Sequence, residues 1–234
     1  RGATSKQIAS IRLTSQVTPR NKVGFYFDYQ QPCDQGAQSV GSDACRSATD
    51  EWVLGSSFFG SAWSPEAISN YWDKREKIVQ LTWTSQVTNR LLLDAGYSSF
   101  ISHWGWMKQP GAPLGLTSVL DLSPFKVYRG VAGMQDDEQQ STQWRASVAY
   151  VTGSHNVKVG YRGAHYMQEH ELQTNDTQMN YLLFSGFPLN FTMQIRPWQF
   201  SNRTQSHALY AQDQWTLGRL SLQGAVRYDY AFSY

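Results

Sequence analysis

Bulky apolar residues recur at every second position through much of the chain, and these alternating stretches come in pairs joined by short turns. Ile11, Leu13, Ser15 and Val17 alternate with Arg12, Thr14 and Gln16; after Thr18-Pro19-Arg20-Asn21 the pattern resumes as Val23, Phe25, Phe27 and Tyr29, interleaved with Gly24, Tyr26, Asp28 and Gln30. Val79, Leu81, Trp83, Ser85 and Val87 precede a turn over 88–90, and Leu91, Leu93, Ala95 and Tyr97 follow it, against Gln80, Thr82, Thr84, Gln86, Asp94 and Gly96. Trp144, Ala146, Val148 and Tyr150 lead to a turn over 152–155 and return as Val157, Val159 and Tyr161. Leu209, Ala211 and Trp215 lead to a turn over 216–219, after which Leu220, Leu222, Val226, Tyr228 and Tyr230 continue. Period two belongs to a strand with one apolar and one polar face, so each pair predicts an antiparallel hairpin and the whole predicts an all-β chain of about eight strands.

The turns begin near residues 18, 88, 152 and 216, and the stretches between hairpins, about 32–71, 102–140 and 169–205, are rich in Gly, Pro, Ser, Asn, Gln and Trp. Three such long connections are unusual in a compact soluble domain. Short turns at one end and long loops at the other are the asymmetry of an outer-membrane barrel, whose periplasmic turns are tight and extracellular loops extended. Within the last loop, Tyr181-Leu182-Leu183-Phe184 and Phe187-Pro188-Leu189-Asn190-Phe191 flank Ser185-Gly186 and predict a minor hairpin.

Composition sharpens this picture. Charged residues make up 16 % and aromatics 14 %, yet the mean hydropathy is −0.49. A helical membrane protein would be far more apolar and a disordered chain far poorer in aromatics. A barrel wall accommodates both values, because every second strand residue meets lipid while the others face water. Arg12, Lys22, Asp28, Asp94, Arg145, Lys158, Arg162, Arg227 and Asp229 all fall on the polar set, which a dry core would accept only as satisfied pairs. Tyr29, Tyr97, Tyr150, Tyr161, Trp215, Tyr228 and Tyr230 fall toward the ends of apolar faces, as membrane-interface aromatics should; Trp83 and Trp144 fit that placement less well.

The net charge of +2 is spread over the chain without a basic patch, which argues against a nucleic-acid partner. No stretch is apolar enough over about 18 residues for a membrane helix, and the N-terminus lacks the apolar core of a signal peptide. Tyr228–Tyr234 ends within a strand-like pattern, so we expect a mid-barrel fragment over 1–234; a closed small barrel is the alternative.

Cys33 and Cys45 share one polar loop and in an oxidising compartment would close a local disulfide, with two free thiols as the alternative. His165, Glu169, His170 and Glu171 are the densest group of potential metal ligands, but their irregular spacing favours a solvated strand end over a metal site. His103, Trp104 and Trp106 open another loop, where they could stack on a ligand or anchor at the interface; with His165, Glu169 and His170 they are the candidate ligand-facing residues. Asn175-Asp176-Thr177, Asn190-Phe191-Thr192 and Asn202-Arg203-Thr204 are glycosylation sequons by pattern, without meaning in a bacterial outer membrane. No nucleophile elbow, phosphate-binding glycine loop or spaced carboxylate motif is present, so neither an enzyme nor a cofactor is expected.

Two segments resemble a known family. Leu209 to Leu222, carrying Tyr210, Gln212, Asp213, Trp215, Leu217 and Leu220, followed by Val226-Arg227-Tyr228-Asp229, resembles a barrel hairpin of TonB-dependent outer-membrane receptors. Thr18-Pro19-Arg20-Asn21-Lys22, with the aromatic alternation and Cys-bearing loop after it, is similar to the Oar-like subgroup. The resemblance implies a bacterial outer-membrane barrel of about 22 strands around a plug, importing a scarce small ligand with energy passed through TonB. Plug, TonB box and C-terminal assembly strand are not found in this sequence. These residues would then supply wall and loops, with membrane lipid, the rest of the barrel, the plug and, through the N-terminal region, TonB as partners. A passive porin-like barrel is one rival, and a soluble cell-surface β protein that binds glycans is another.

Overall fold

The computed structural model describes residues 3–35, 62–67, 75–106, 113–123, 125–196 and 198–234. Eight long strands form one sheet in chain order: β1 (Ala3–Thr18), β2 (Asn21–Gln35), β4 (Arg75–Gln86), β5 (Leu91–Trp106), β8 (Met134–Thr152), β9 (His155–Gln173), β12 (Trp198–Leu217) and β13 (Leu220–Ser233). Every neighbouring pair is antiparallel, so the sheet is an uncrossed meander.

Sequence dictates the four tight connections directly. Thr18 Oγ1 accepts from the backbone N–H of Asn21 at 3.1 Å and from the Asn21 amide at 2.7 Å; Thr88 Oγ1 likewise accepts from Arg90 and Leu91 N–H at 3.1 and 3.0 Å. A threonine side chain thus closes each of these turns in place of a glycine. The other two turns place Gly153 and Gly218 at φ 53° and 60°, where a side chain would be strained. Adjacent turns are stitched together: Gln86 N–H donates to Arg20 O at 2.9 Å, Val151 N–H to Arg90 O at 2.8 Å and Thr216 N–H to Ser154 O at 2.8 Å.

Register converts eight separate alternations into two continuous faces. One row across the sheet reads Leu13, Phe25, Leu81, Tyr97, Trp144, Gly163, His207, Tyr230, and the row two residues closer to the turns reads Ser15, Val23, Trp83, Ala95, Ala146, Tyr161, Leu209, Tyr228. The intervening row on the opposite face reads Thr14, Gly24, Thr82, Gly96, Arg145, Arg162, Ala208, Asp229. No second layer covers the apolar face among the described residues: Leu81, Val159 and Leu222 are 45 %, 51 % and 48 % exposed. An apolar face of this extent is not stable against water and requires hydrocarbon.

The strands outrun the apolar alternation. Through Glu138-Gln139-Gln140-Ser141-Thr142-Gln143 both faces are polar, yet β8 holds its ladder from Met134 onward, and β5, β9 and β12 are correspondingly long. Hydropathy cannot mark a strand whose two sides are both wet, so the segments 102–140 and 169–205 contain more strand than their composition suggests.

At this end the connections build a second sheet from β3 (Ala62–Trp63), β6 (Ser118–Asp121), β7 (Lys126–Tyr128), β10 (Met179–Phe184) and β11 (Phe187–Met193), in the order β11-β10-β6-β7-β3. The β10–β6 and β3–β7 pairings are parallel and join different loops. Val119, Val127 and Val131 are buried here.

With the apolar face in hydrocarbon, Val159→Arg should cost about 2–4 kcal/mol, whereas Gln214→Arg on the opposite, exposed face should stay within about 0.5 kcal/mol. Urea titration in lipid vesicles measures both, and equal effects would contradict the assignment of faces.

Candidate functional site

The polar face is the surface a solute or an internal partner would meet, and its charges are organised strand by strand. Lys6 pairs with Glu76 at 3.2 Å, and Arg145 reaches Asp94 at 3.4 Å. Arg227 grips Asp229 through both Nε and an Nη, at 2.7–3.0 Å. Tyr26 donates to the nearly buried Asp28 at 3.0 Å while Arg12 lies 5.0 Å above the Tyr26 ring. Thr84 adds a long contact of 3.4 Å to Asp94.

The aromatics of the apolar face occupy two levels. Trp83, Tyr150 and Trp215 lie two or three residues inside the turn-side ends of β4, β8 and β12. Tyr29, Tyr97, Trp144, Tyr161, Tyr228 and Tyr230 lie six to ten residues from theirs. Trp144 and Tyr150 on one strand are therefore roughly 20 Å apart at ~3.3 Å per residue. Trp144 lies across Gly163, where a Cβ would overlap its ring.

The candidate ligand-facing residues sit in strands and divide between the two faces. Trp104 and His170 belong to the polar side, whereas His103, His165 and Glu169 continue the apolar side beyond its greasy part. His170 Nδ1 pairs with Asp137, which is 1 % exposed and also accepts from Gln135 at 2.9 Å. Trp198 and Phe200 pack on the His170 ring at centroid distances of 5.8 and 4.7 Å. On the other side His103 pairs with Asp136 at 2.5 Å and Arg203 with Glu169 at 3.2 Å. Trp106 closes β5, but its side chain, that of Cys33, and all of Cys45 lie outside the described residues, so the disulfide expected between the two cysteines falls outside them as well. Among the described residues no three His, Cys, Asp or Glu side chains are arranged to hold a metal ion.

Sequence reasoning missed the hub of the loop sheet. Asn175, 0 % exposed, donates to Val131 O at 3.0 Å, Met179 O at 3.1 Å and Asn180 Oδ1 at 3.1 Å, and accepts from Thr177 Oγ1 at 2.7 Å. Asn-x-Thr, read as a sequon, is here a buried side-chain turn. The available signal was an Asx-turn pair in front of a strand. A second tie runs from Glu66 Oε1, which accepts from Ser64 Oγ at 2.6 Å and from Arg129 N–H at 3.1 Å. Burial pushes the Glu66 carboxyl up, but these hydrogen bonds, its own backbone and nearby Lys126 outweigh that and hold it below the usual carboxylate range.

Meander topology, an uncovered apolar face and an opposing charged face define the wall of a membrane-spanning β-barrel. The family model for the TonB dependent receptor-like β-barrel matches residues 8–231, and the chain belongs to that family. Among solved structures it is similar to the FpvAI–pyocin S2 complex, with TM-score 0.54 and 12 % identity over 99 % of this chain and 32 % of that one. The outer membrane transporter YddB from Escherichia coli matches with TM-score 0.42 and 12 % identity over 97 % of this chain and 34 % of that one. The chain thus spans about a third of the length of each. At that identity the first likeness speaks for the fold. No curated protein matches in sequence.

Asn175→Ala should leave two backbone carbonyls without their donor and weaken the loop sheet by about 1–3 kcal/mol per group. Amide hydrogen exchange at Val119 and Val127 should accelerate while that of β4 and β5 stays unchanged. The Glu66 tie should be complete above the ordinary carboxylate pKa of about 4.3 and vanish as pH falls through the lowered value. Following the Arg129 amide resonance against pH checks this, and in Glu66→Gln the transition should be absent.

Proposed function

We propose that this chain forms part of the barrel wall and extracellular loops of a TonB-dependent receptor in the bacterial outer membrane, where it takes part in ligand uptake and does no chemistry of its own. The observation that carries the proposal is the single predominantly apolar face, backed in register by a charged one, in a chain of this family.

Several features support the finer assignment. Tyr29, Tyr97, Tyr150, Tyr161, Trp215, Tyr228 and Tyr230, joined by Trp83 and Trp144, fall at two levels, two or three and six to ten residues from the turn-side strand ends, which suits aromatics at the two borders of an apolar band. The tight turns are then periplasmic and the loop sheet extracellular. Trp104 and His170, on the polar side with Phe200, line the ligand's path; His103, His165 and Glu169 meet lipid headgroups instead. Ligand capture falls chiefly to the loop sheet: residues 177–195 contain no charged side chain, and Phe187 and Met193 on β11 are 75 % and 73 % exposed. Such a surface favours a ligand with an apolar face. The rest of the barrel, a plug and TonB are its partners, supplied by parts of the receptor outside this chain.

Fractionation of cells making the full-length protein, followed by planar-bilayer recording, tests this. The protein should resist carbonate extraction, come out in detergent and give no steady conductance, because a plug fills the lumen. Release by carbonate would remove the barrel assignment, and a steady open channel would replace the receptor with a porin.

A further inference from the structure

We propose that Arg145 and Arg162 form a carboxylate-binding site on the polar face of the barrel wall, a proposal that rests on that face being the lumen. The two arginines stand directly opposite one another across the β8–β9 ladder. Like charges so placed repel and lower stability unless something neutralises them. Arg145 is drawn sideways over Gly96 to Asp94, at 3.4 Å. Arg162 makes no ion pair with any described residue, and the acidic side chain nearest along its own row, Asp229, is already gripped by Arg227.

A cleft of about 280 Å³ opens at this point, lined on the polar side by Gln80, Thr82, Ser98, Gln143, Arg145 and Arg162. Guanidinium forks, side-chain amides and hydroxyls from four neighbouring strands together supply N–H and O–H donors, the groups that suit a planar two-oxygen acceptor. Charge decides between acceptors. Asp94, Arg145 and Arg162 sum to one positive charge, which a single carboxylate cancels and a phosphate dianion would overshoot. Arg162 itself is exposed at the surface of this face. The carboxylate could belong to the plug or to a diffusing solute, and the chemistry at the two arginines is the same.

Full-length receptor and its Arg162→Gln, Arg162→Lys and Lys158→Gln variants distinguish these sources. Equal heat-modifiable gel mobility shows that each variant is folded. Benzoate, a monocarboxylate, is titrated calorimetrically, and the urea concentration at which the plug becomes accessible to trypsin is measured in parallel. If the site takes a solute, benzoate binds the parent and roughly tenfold more weakly to Arg162→Gln. If the plug fills it, benzoate does not bind, and Arg162→Gln exposes the plug at lower urea. Arg162→Lys, which keeps the charge and loses the fork, should fall between parent and Arg162→Gln in whichever measurement responds. Two results overturn the proposal: no change in either measurement, or an equal change in Lys158→Gln, which would reveal only a diffuse positive wall. A receptor that resists carbonate extraction yet shows either result loses the site and keeps the proposed function.

Discussion

Backbone N–H and C=O groups have no water to bond with inside hydrocarbon, and each one left unpaired costs several kcal/mol. An antiparallel ladder answers this with bonds between neighbours, and its consequence is parity. Once Leu13 faces outward, the unshifted ladders that follow oblige Phe25, Leu81, Tyr97 and Trp144 to do the same. A one-residue slip of β8 or β9 would invert its faces and put Arg145 or Arg162 into lipid. Among the described residues, the one register irregularity of the long sheet falls between Gln16 and Thr18, beside a turn, where a misplaced side chain still reaches water.

Close packing across the ladder follows the same rule of neighbours. Trp144 covers Gly163 on the apolar face, and Tyr210 covers Gly160 on the polar one. Each glycine sits where its cross-strand partner's ring needs the space of a side chain. A ring laid flat on a glycine shields the bare backbone and limits the ring's own motion. The pairing also accounts for glycine inside strands, where it would otherwise weaken the ladder.

Much of this fold was legible in the sequence because lipid imposes a simple pattern. Turns, strand pairing and the sorting of charges onto one face follow from period two and from Thr, Gly and Asn at the turns. The motif over 209–229 gains a physical meaning from the structure: Tyr210, Gln212, Arg227 and Asp229 lie on the polar side, Trp215, Leu222 and Tyr228 on the apolar one. The loop sheet was not legible beyond the β10–β11 hairpin. Its β6–β10 and β3–β7 ladders join residues some sixty positions apart in different loops, with pairing set by backbone groups and by Asn175 rather than by hydropathy. Strand ends that are polar on both sides have the composition of loops, so His103 and Trp104, read from sequence as the start of a loop, are strand residues whose consecutive side chains point to opposite faces.

The outward face carries its own vertical scale. Its middle is aliphatic, with Val148, Val159, Ala211 and Val226 in one row. Toward the turns a charge appears, Asp213, and it is paired at once: His155 meets it at 2.6 Å and stacks on Trp215 with ring centroids 5.5 Å apart. At the other end His103 with Asp136 and Arg203 with Glu169 form the corresponding polar border. Among the described residues the ion pairs of this face thus lie at its two ends. That is the distribution expected when the cost of a charge rises with depth in the bilayer and falls near its interfaces. The same strands on their inner side carry Asp28, Asp94, Arg145 and Arg162 three to seven residues from their turn-side ends, so depth constrains one face only, and the difference between the faces measures which of them touches lipid.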